Sequence, residues 1–182
     1  MRFLSVVLTA CLAPAALAAC VDALPPAAHD QTAVALSPSG QVAVALPVVI
    51  VHKTPACGCC SVWVEHMRQA GFVVETVDID DLGPVKVELG VPYGKGSCHT
   101  ARVGPYFVEG HVPAGDIKRL LAERPQALGL VLPGMPMGSP GMEMPDGSRQ
   151  AFTVELVTPD GGTTAWAHHP ARKAGSIKEA GQ

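Results

Sequence analysis

Aromatic residues are scarce in this chain: two Trp, two Tyr and four Phe among 182 residues. Positive charge is not in excess either. Thirteen basic against sixteen acidic side chains give a formal charge of −3, one unit more negative if Arg2 leaves with a leader. With no basic run and no aromatic stacking platform, a nucleic-acid surface is excluded. No apolar run is long enough to span a bilayer, the N-terminal one included. No phosphate cradle is present, because Gly94-Lys95-Gly96-Ser97 lacks the rest of a P-loop. No histidine has Ser or acidic partners at hydrolase spacings. Paired C-x-x-C knuckles and His-x-x-x-His, the usual zinc patterns, are missing too. Internal repeats are absent.

What the chain does have is clustered cysteine. Cys57-Gly58-Cys59-Cys60 follows the apolar run Pro47-Val48-Val49-Ile50-Val51-His52, which reads as a buried strand, and precedes a helical pattern. Thiols at a strand-to-helix turn sit beside the helix's free N–H groups and positive end, which favour thiolate. Thiolate attacks disulfides and binds soft metals. Cys57 and Cys60 have the C-x-x-C spacing of redox proteins, and Cys59 between them makes a patch suited to a thiophilic metal. Two purely structural disulfides fit poorly: Cys59 and Cys60 are sequence neighbours, and three crowded thiols cannot staple distant loops.

The first residues have the form of an export leader: Arg2, an apolar Phe3 to Leu12, then small residues. Ala16-Leu17-Ala18 suits an ordinary signal peptidase. Leu17-Ala18-Ala19-Cys20 resembles a bacterial lipobox, and on that reading Cys20 carries the lipid that attaches the chain to a membrane surface. Residues 21–46 are rich in Ala, Pro, Ser and Val and read as a tether, in which Val42 to Leu46 offers an optional edge strand. Residues 170–182 read as a polar, disordered tail.

Between these ends, strands and helices alternate. The expected elements are a strand to His52, a helix Cys60 to Ala70 closed by Gly71, a strand Phe72 to Ile79, and a short helix Val85 to Leu89 stopped by Gly90. Two strands at Thr100 to Val103 and Tyr106 to Glu109, a helix Ala114 to Glu123, and strands Phe152 to Thr158 and Thr163 to Ala167 follow. In this order the loop carrying Cys98-His99 faces the first helix turn, so a fourth thiol meets the other three. Four thiolates hold one tetrahedral ion or share soft ions in a bridged cluster, and outside the cytoplasm Cu(I) fits better than zinc. His99 is the best histidine ligand; His52 ends the first strand near the thiols, His111 equally caps a turn, and His66, His168 and His169 read as surface or solvated residues. The loop Gly134 to Met144 adds thioethers, of which Met135 and Met142 are the secondary metal candidates; the same loop equally reads as an adaptable apolar cover.

The runs Lys53-Thr54-Pro55-Ala56-Cys57-Gly58-Cys59-Cys60 and Val91-Pro92-Tyr93-Gly94-Lys95-Gly96-Ser97-Cys98-His99-Thr100 resemble the CopG-type family of exported metal-binding proteins. Val108-Glu109-Gly110-His111-Val112-Pro113-Ala114, Pro133-Gly134-Met135-Pro136 and Gly138-Ser139-Pro140-Gly141-Met142-Glu143 extend the likeness, which spans about residues 48–169. It implies a thioredoxin-like fold, a periplasmic role in bacterial copper resistance, and a multinuclear Cu(I) cluster bridged by Cys57, Cys59, Cys60 and Cys98, with His99 completing the Cys-His pair. The lipobox and tether depart from the simplest family pattern and imply an anchored form.

The sequence therefore predicts an α/β chain. A leader (1–19) and tether (20–46) precede a single thioredoxin-like domain (47–169), a central mixed sheet flanked by helices, and a tail (170–182) follows it. The expected function is holding Cu(I) on the periplasmic side of a bacterial membrane, with copper oxidoreductase activity as an extension and periplasmic copper-handling proteins as partners. The alternative is a thiol–disulfide oxidoreductase in which Cys57 attacks and Cys60 resolves.

Overall fold

In a computed structural model of the chain, the structure describes residues 45–175; the leader, Cys20 and nearly all of the tether lie outside them. Ten elements run in the order β1 (Val49–Lys53), α1 (Gly58–Gln69), β2 (Val74–Asp78), α2 (Gly83–Leu89), β3 (His99–Val103), β4 (Tyr106–Glu109), α3 (Ala114–Glu123), β5 (Gly129–Val131), β6 (Phe152–Val157) and β7 (Thr163–His169). All seven strands form one mixed sheet, ordered β2-β1-β3-β4-β5-β6-β7. β1 is parallel to β2, antiparallel to β3, and β3 is antiparallel to β4. This is the mixed sheet flanked by helices that the sequence predicts.

Both faces of the sheet are covered at β4 and β5, which are therefore buried without alternation. On one face Val49, Val51, Ala101, Val103, Val108 and Leu130 pack with Trp63, Val64 and Met67 of α1 and Ile117 and Leu120 of α3. On the other, Phe107, Val131 and Val157 meet Leu89, Val91 and Leu128. β4 is consequently buried along its whole length, including its acidic last residue, Glu109. Gly129 is required where β5 crosses β4: a Cβ there would lie 2.1 Å from the Phe107 carbonyl oxygen.

Helix ends follow local chemistry. Gly71 takes a φ of 91°, and the amides of Gly71 and Phe72 turn back onto Arg68 and Met67 carbonyls, the double bond of a glycine-terminated helix. Gly90 ends α2 in the same way. The starts differ from expectation. α1 begins at Gly58, two residues early, because Cys57 sits extended as the residue before it, with no Ser, Thr, Asp or Asn side chain to mark the start. α2 begins at Gly83, with Pro84 in its first turn. β5 is not anticipated at all; three residues are too few to show a period. The first tail residues are also held rather than disordered: Arg149 and Arg172 exchange both backbone hydrogen bonds at 2.9 Å.

Candidate metal centre

The end of β1, the first turn of α1 and the loop before β3 converge on one point. α1 starts at Gly58, so Cys59 and Cys60 occupy its first turn while Cys57 precedes it. Cys98 lies one residue before β3. The sulfur atoms of Cys57, Cys59, Cys60 and Cys98 all lie within 4.8 Å of one another. Cys57 Sγ is 3.6 Å from Cys59 Sγ, and Cys59 Sγ is 3.9 Å from Cys98 Sγ. Cys60 is fully buried and the other three are partly exposed. Cys57 and Cys60 are joined by a disulfide; Cys59 and Cys98 are free. The two-disulfide arrangement is thus not formed, and the partly exposed sulfur of the disulfide is that of Cys57.

A second group overlaps the first at Cys98: Cys98, His99 and His111 also place their ligand atoms within 4.8 Å of one another. Cys98 Sγ lies 3.4 Å from His99 Nδ1 and 3.0 Å from His111 Nε2. His111 Nδ1 is 2.8 Å from the Pro140 carbonyl oxygen, which only accepts, so Nδ1 carries the proton and Nε2 offers its lone pair toward the sulfur. His111 has no place among the sequence-derived ligands. The signal was available in the hairpin: Thr100 pairs with Glu109, and continuing that register two residues brings Cys98 opposite His111.

Burial governs the protonation of this centre. Desolvation, then the neighbouring Cys59, pushes the Cys98 thiol up to about 11. A metal must therefore displace the Cys98 proton to bind there. His99 is wholly buried; desolvation first, then His111 and Lys86, lower it to about 3. Its ring leans on Trp63 at 4.5 Å between centroids, and its Nε2 has no hydrogen-bond partner. Desolvation also lowers His111. Both imidazoles are neutral at pH 7, the form that ligates metals.

The His99 shift has a stability consequence. The unfolded imidazole takes up a proton below about 6.5 and the folded one only below about 3. Between those values the unfolded chain binds more protons, so acid favours unfolding. The metal-free protein is expected to lose on the order of 1 kcal/mol per pH unit from this ring alone as pH falls through that window. Urea midpoints measured across it should fall for the native chain and flatten for His99→Gln.

The thioether loop is ordered by its own backbone: Met142 N–H donates to Ser139 O at 2.8 Å and Gly138 N–H to Met142 O at 2.6 Å. It reaches the centre through Pro140 and Gly141; a Cβ on Gly141 would lie 2.6 Å from Cys59 O. Glu143 Oε1 pairs with His66 Nε2 at 2.6 Å, tying the loop to α1. Met142 is partly buried beside this contact, while Met135 is half exposed. The other histidines lie elsewhere. His52 faces the opposite side of the sheet beside Thr100, and His169 pairs with Asp116 at 2.7 Å. A groove of about 870 Å³, lined by Leu46, Pro47, Tyr106 and Leu121, sits at the other end of the β3–β4 hairpin from Cys98.

Fold and site together define a mixed α/β protein with a cysteine-rich cluster able to hold a metal. The family described as "Protein of unknown function, DUF411" matches residues 95–142, which take in Cys98, His99, His111 and the thioether loop as far as Met142. Two solved structures are similar over most of the chain. "Copper resistance protein copG – Form 1" is 45% identical with a TM-score of 0.65, covering 69% of this chain and 98% of its own. "Copper resistance protein copG – Form 2" is 44% identical with a TM-score of 0.65, covering 68% and 98%. Among curated proteins nothing matches. At that identity and coverage, the chain belongs to the CopG-type copper-resistance family.

Proposed function

We propose that this chain is an exported copper-handling protein that holds Cu(I) on Cys57, Cys59, Cys60 and Cys98, with His99 and His111 as imidazole donors. The observation that carries the reading is the gathering of four sulfur atoms from two chain segments within 4.8 Å. Soft thiolates favour Cu(I), and sulfurs this close can bridge several ions. Met135 and Met142 are the outer thioether ligands of this reading, on a loop whose backbone touches the centre. The connectivity β1-α1-β2-α2-β3-β4-α3 supports a thioredoxin-like description of the first part of the domain. The leader, a lipid on Cys20, a periplasmic location and partners that supply or receive copper belong to the same proposal. No helix among the described residues is long and apolar enough to cross a membrane.

The Cys57–Cys60 disulfide favours a second, redox reading. Closing two thiols into one disulfide releases two electrons and two protons, and reducing two Cu(II) to two Cu(I) consumes the two electrons. The reduced pair is thus matched to copper reduction. Exchange with a partner's disulfide is the other form of this reading, with partly exposed Cys57 as the attacking thiol after reduction and buried Cys60 as the resolving one.

Anaerobic titration of the fully reduced chain with Cu(I) against a chelating competitor, with a parallel Zn(II) titration, tests the first reading. Several Cu(I) per chain with thiolate-to-copper absorption are expected. A single ion, bound no more tightly than Zn(II), would replace it by a mononuclear thiolate site, since the same sulfurs can surround one ion at about 2.3 Å.

A further inference from the structure

Glu109 is completely buried, and no metal-binding role uses it. Its side chain lies on the face of the sheet opposite His99, where alternation from β3 directs Thr100 and Arg102 as well. A carboxylate removed from water costs several kcal/mol unless it is paired and fully hydrogen-bonded. Here it is. Oε1 accepts from Lys86 Nζ and, at 2.5 Å, from the backbone N–H of Ser97. Oε2 accepts from Thr100 Oγ1 at 2.7 Å, and Lys86 Nζ also donates to that hydroxyl at 2.9 Å. The group is closed: α2, β3, β4 and the loop before β3 meet on one carboxylate.

What that carboxylate holds is the approach to Cys98. The loop from Pro92 contains Gly94, with a φ of 77°, and Gly96, and it belongs to no strand. Backbone of that composition does not by itself hold a sulfur within 4.8 Å of three others. Ser97 is the fixed point: its N–H is on Glu109 and its hydroxyl on Gly134 O at 2.5 Å. Three residues further on, Thr100 is bonded to the other oxygen of the same carboxylate. Cys98 and His99 are therefore bracketed by two bonds to one rigid group. A buried ion pair contributes little net stability compared with apolar packing of the same volume, so stability alone does not account for one at this position.

We propose that Glu109, neutralised by Lys86, is a positioning residue that fixes Cys98 in ligand geometry from behind the sheet. The consequence for copper rests on the copper reading above; the consequence for the thiol does not. The device acts through a bond to a backbone amide, so it depends on reach more than on charge. Gln at 109 keeps an oxygen at the same distance, whereas Asp keeps the charge but falls one methylene short of Ser97.

The test uses the full chain with four variants: Glu109→Gln, Glu109→Asp, Thr100→Val and the double apolar replacement of Lys86→Met with Glu109→Leu. Alkylation rates of Cys98 and Cys59 in the metal-free protein are read by peptide mapping, alongside Cu(I) competition and thermal melting. Glu109→Gln is expected to stay close to native in both readouts. Glu109→Asp and the folded double variant should alkylate several-fold faster at Cys98 but not at Cys59, and lose about tenfold to a hundredfold in Cu(I) affinity. Thr100→Val, which removes one bond of the bracket, should fall between. If the double variant does not fold, the order of Gln and Asp decides: Asp closer to native than Gln overturns the proposal. Native Cys98 reactivity in both Asp and the double variant overturns it too. Altered Cys98 reactivity with no Cu(I) bound by any form would sink the copper reading and leave the positioning role standing.

Discussion

Replacing Cys98 by Ser is expected to end Cu(I) binding, whereas Cys57→Ser ends only the multi-ion part of it. Cys98 is the one residue common to both ligand groups, the four sulfurs and the Cys98–His99–His111 set. Partners that merely orient a ligand cost about ten- to a hundredfold in affinity when removed, so loss of a ligand shared by both groups should exceed a hundredfold. Cys57→Ser leaves the second group intact, with Cys98 Sγ still 3.0 Å from His111 Nε2, and a single weakly held ion should persist. The exchange itself is gentle on the fold: Ser is nearly isosteric, and Cys98 takes no part in the apolar core. Melting temperatures close to native are the control. Stoichiometry in a competitor titration separates the variants, and native stoichiometry in Cys98→Ser would remove the thiol cluster from consideration.

The elements that were legible in the sequence are those with a local cause. The run ending at His52 is apolar, with Val49 and Val51 buried in the core, and its strand could be read directly. Gly71 and Gly90 stop their helices through a positive φ that few other residues adopt, and they mark those ends without tertiary information. The helix Ala114–Glu123 falls within the expected bounds, and a non-glycine residue at positive φ, Arg124, closes it just before Pro125. What was not legible depends on distant partners. β5 is a strand only because β4 and β6 flank it. The start of α1 carries no capping side chain, so nothing in the local pattern announces it.

The site divides the same way. Cys57, Cys59, Cys60 and Cys98 could be brought together on paper, because strand–helix order places the loop before β3 against the first helix turn. His111 needed the hairpin register as well, and Glu109 needed more. A buried acid in the run Tyr106-Phe107-Val108-Glu109 looks like the polar end of a half-exposed strand until the second layer, with Lys86, is in place. Which two of four crowded thiols are bonded is likewise a three-dimensional fact, since C-x-x-C spacing names a pair without excluding Cys59 from another.

The bonded pair leads to the second large effect. With Cys57 and Cys60 joined, two of the four sulfurs cannot act as thiolates, and Cys59, Cys98, His99 and His111 are what remains. The oxidised chain is therefore expected to bind Cu(I) far more weakly and in fewer equivalents than the reduced chain. Linkage makes this reciprocal: an ion that prefers the dithiol must stabilise the dithiol. Soft monovalent metal should raise the midpoint potential of the Cys57–Cys60 couple, by about 30 mV for each tenfold preference for the reduced form. Ag(I) isolates the effect, because it is as thiophilic as Cu(I) yet does not exchange electrons with the couple under mild conditions. A glutathione redox titration with Ag(I) bound beforehand to the competitor, run on the native chain and on Cys98→Ser, gives the measurement. The native chain should shift upward and Cys98→Ser should shift much less, because its dithiol lacks the facing ligand. An unshifted potential in the native chain would mean that Cys57 and Cys60 exchange electrons without taking part in metal binding, and the thiol–disulfide reading would then stand alone.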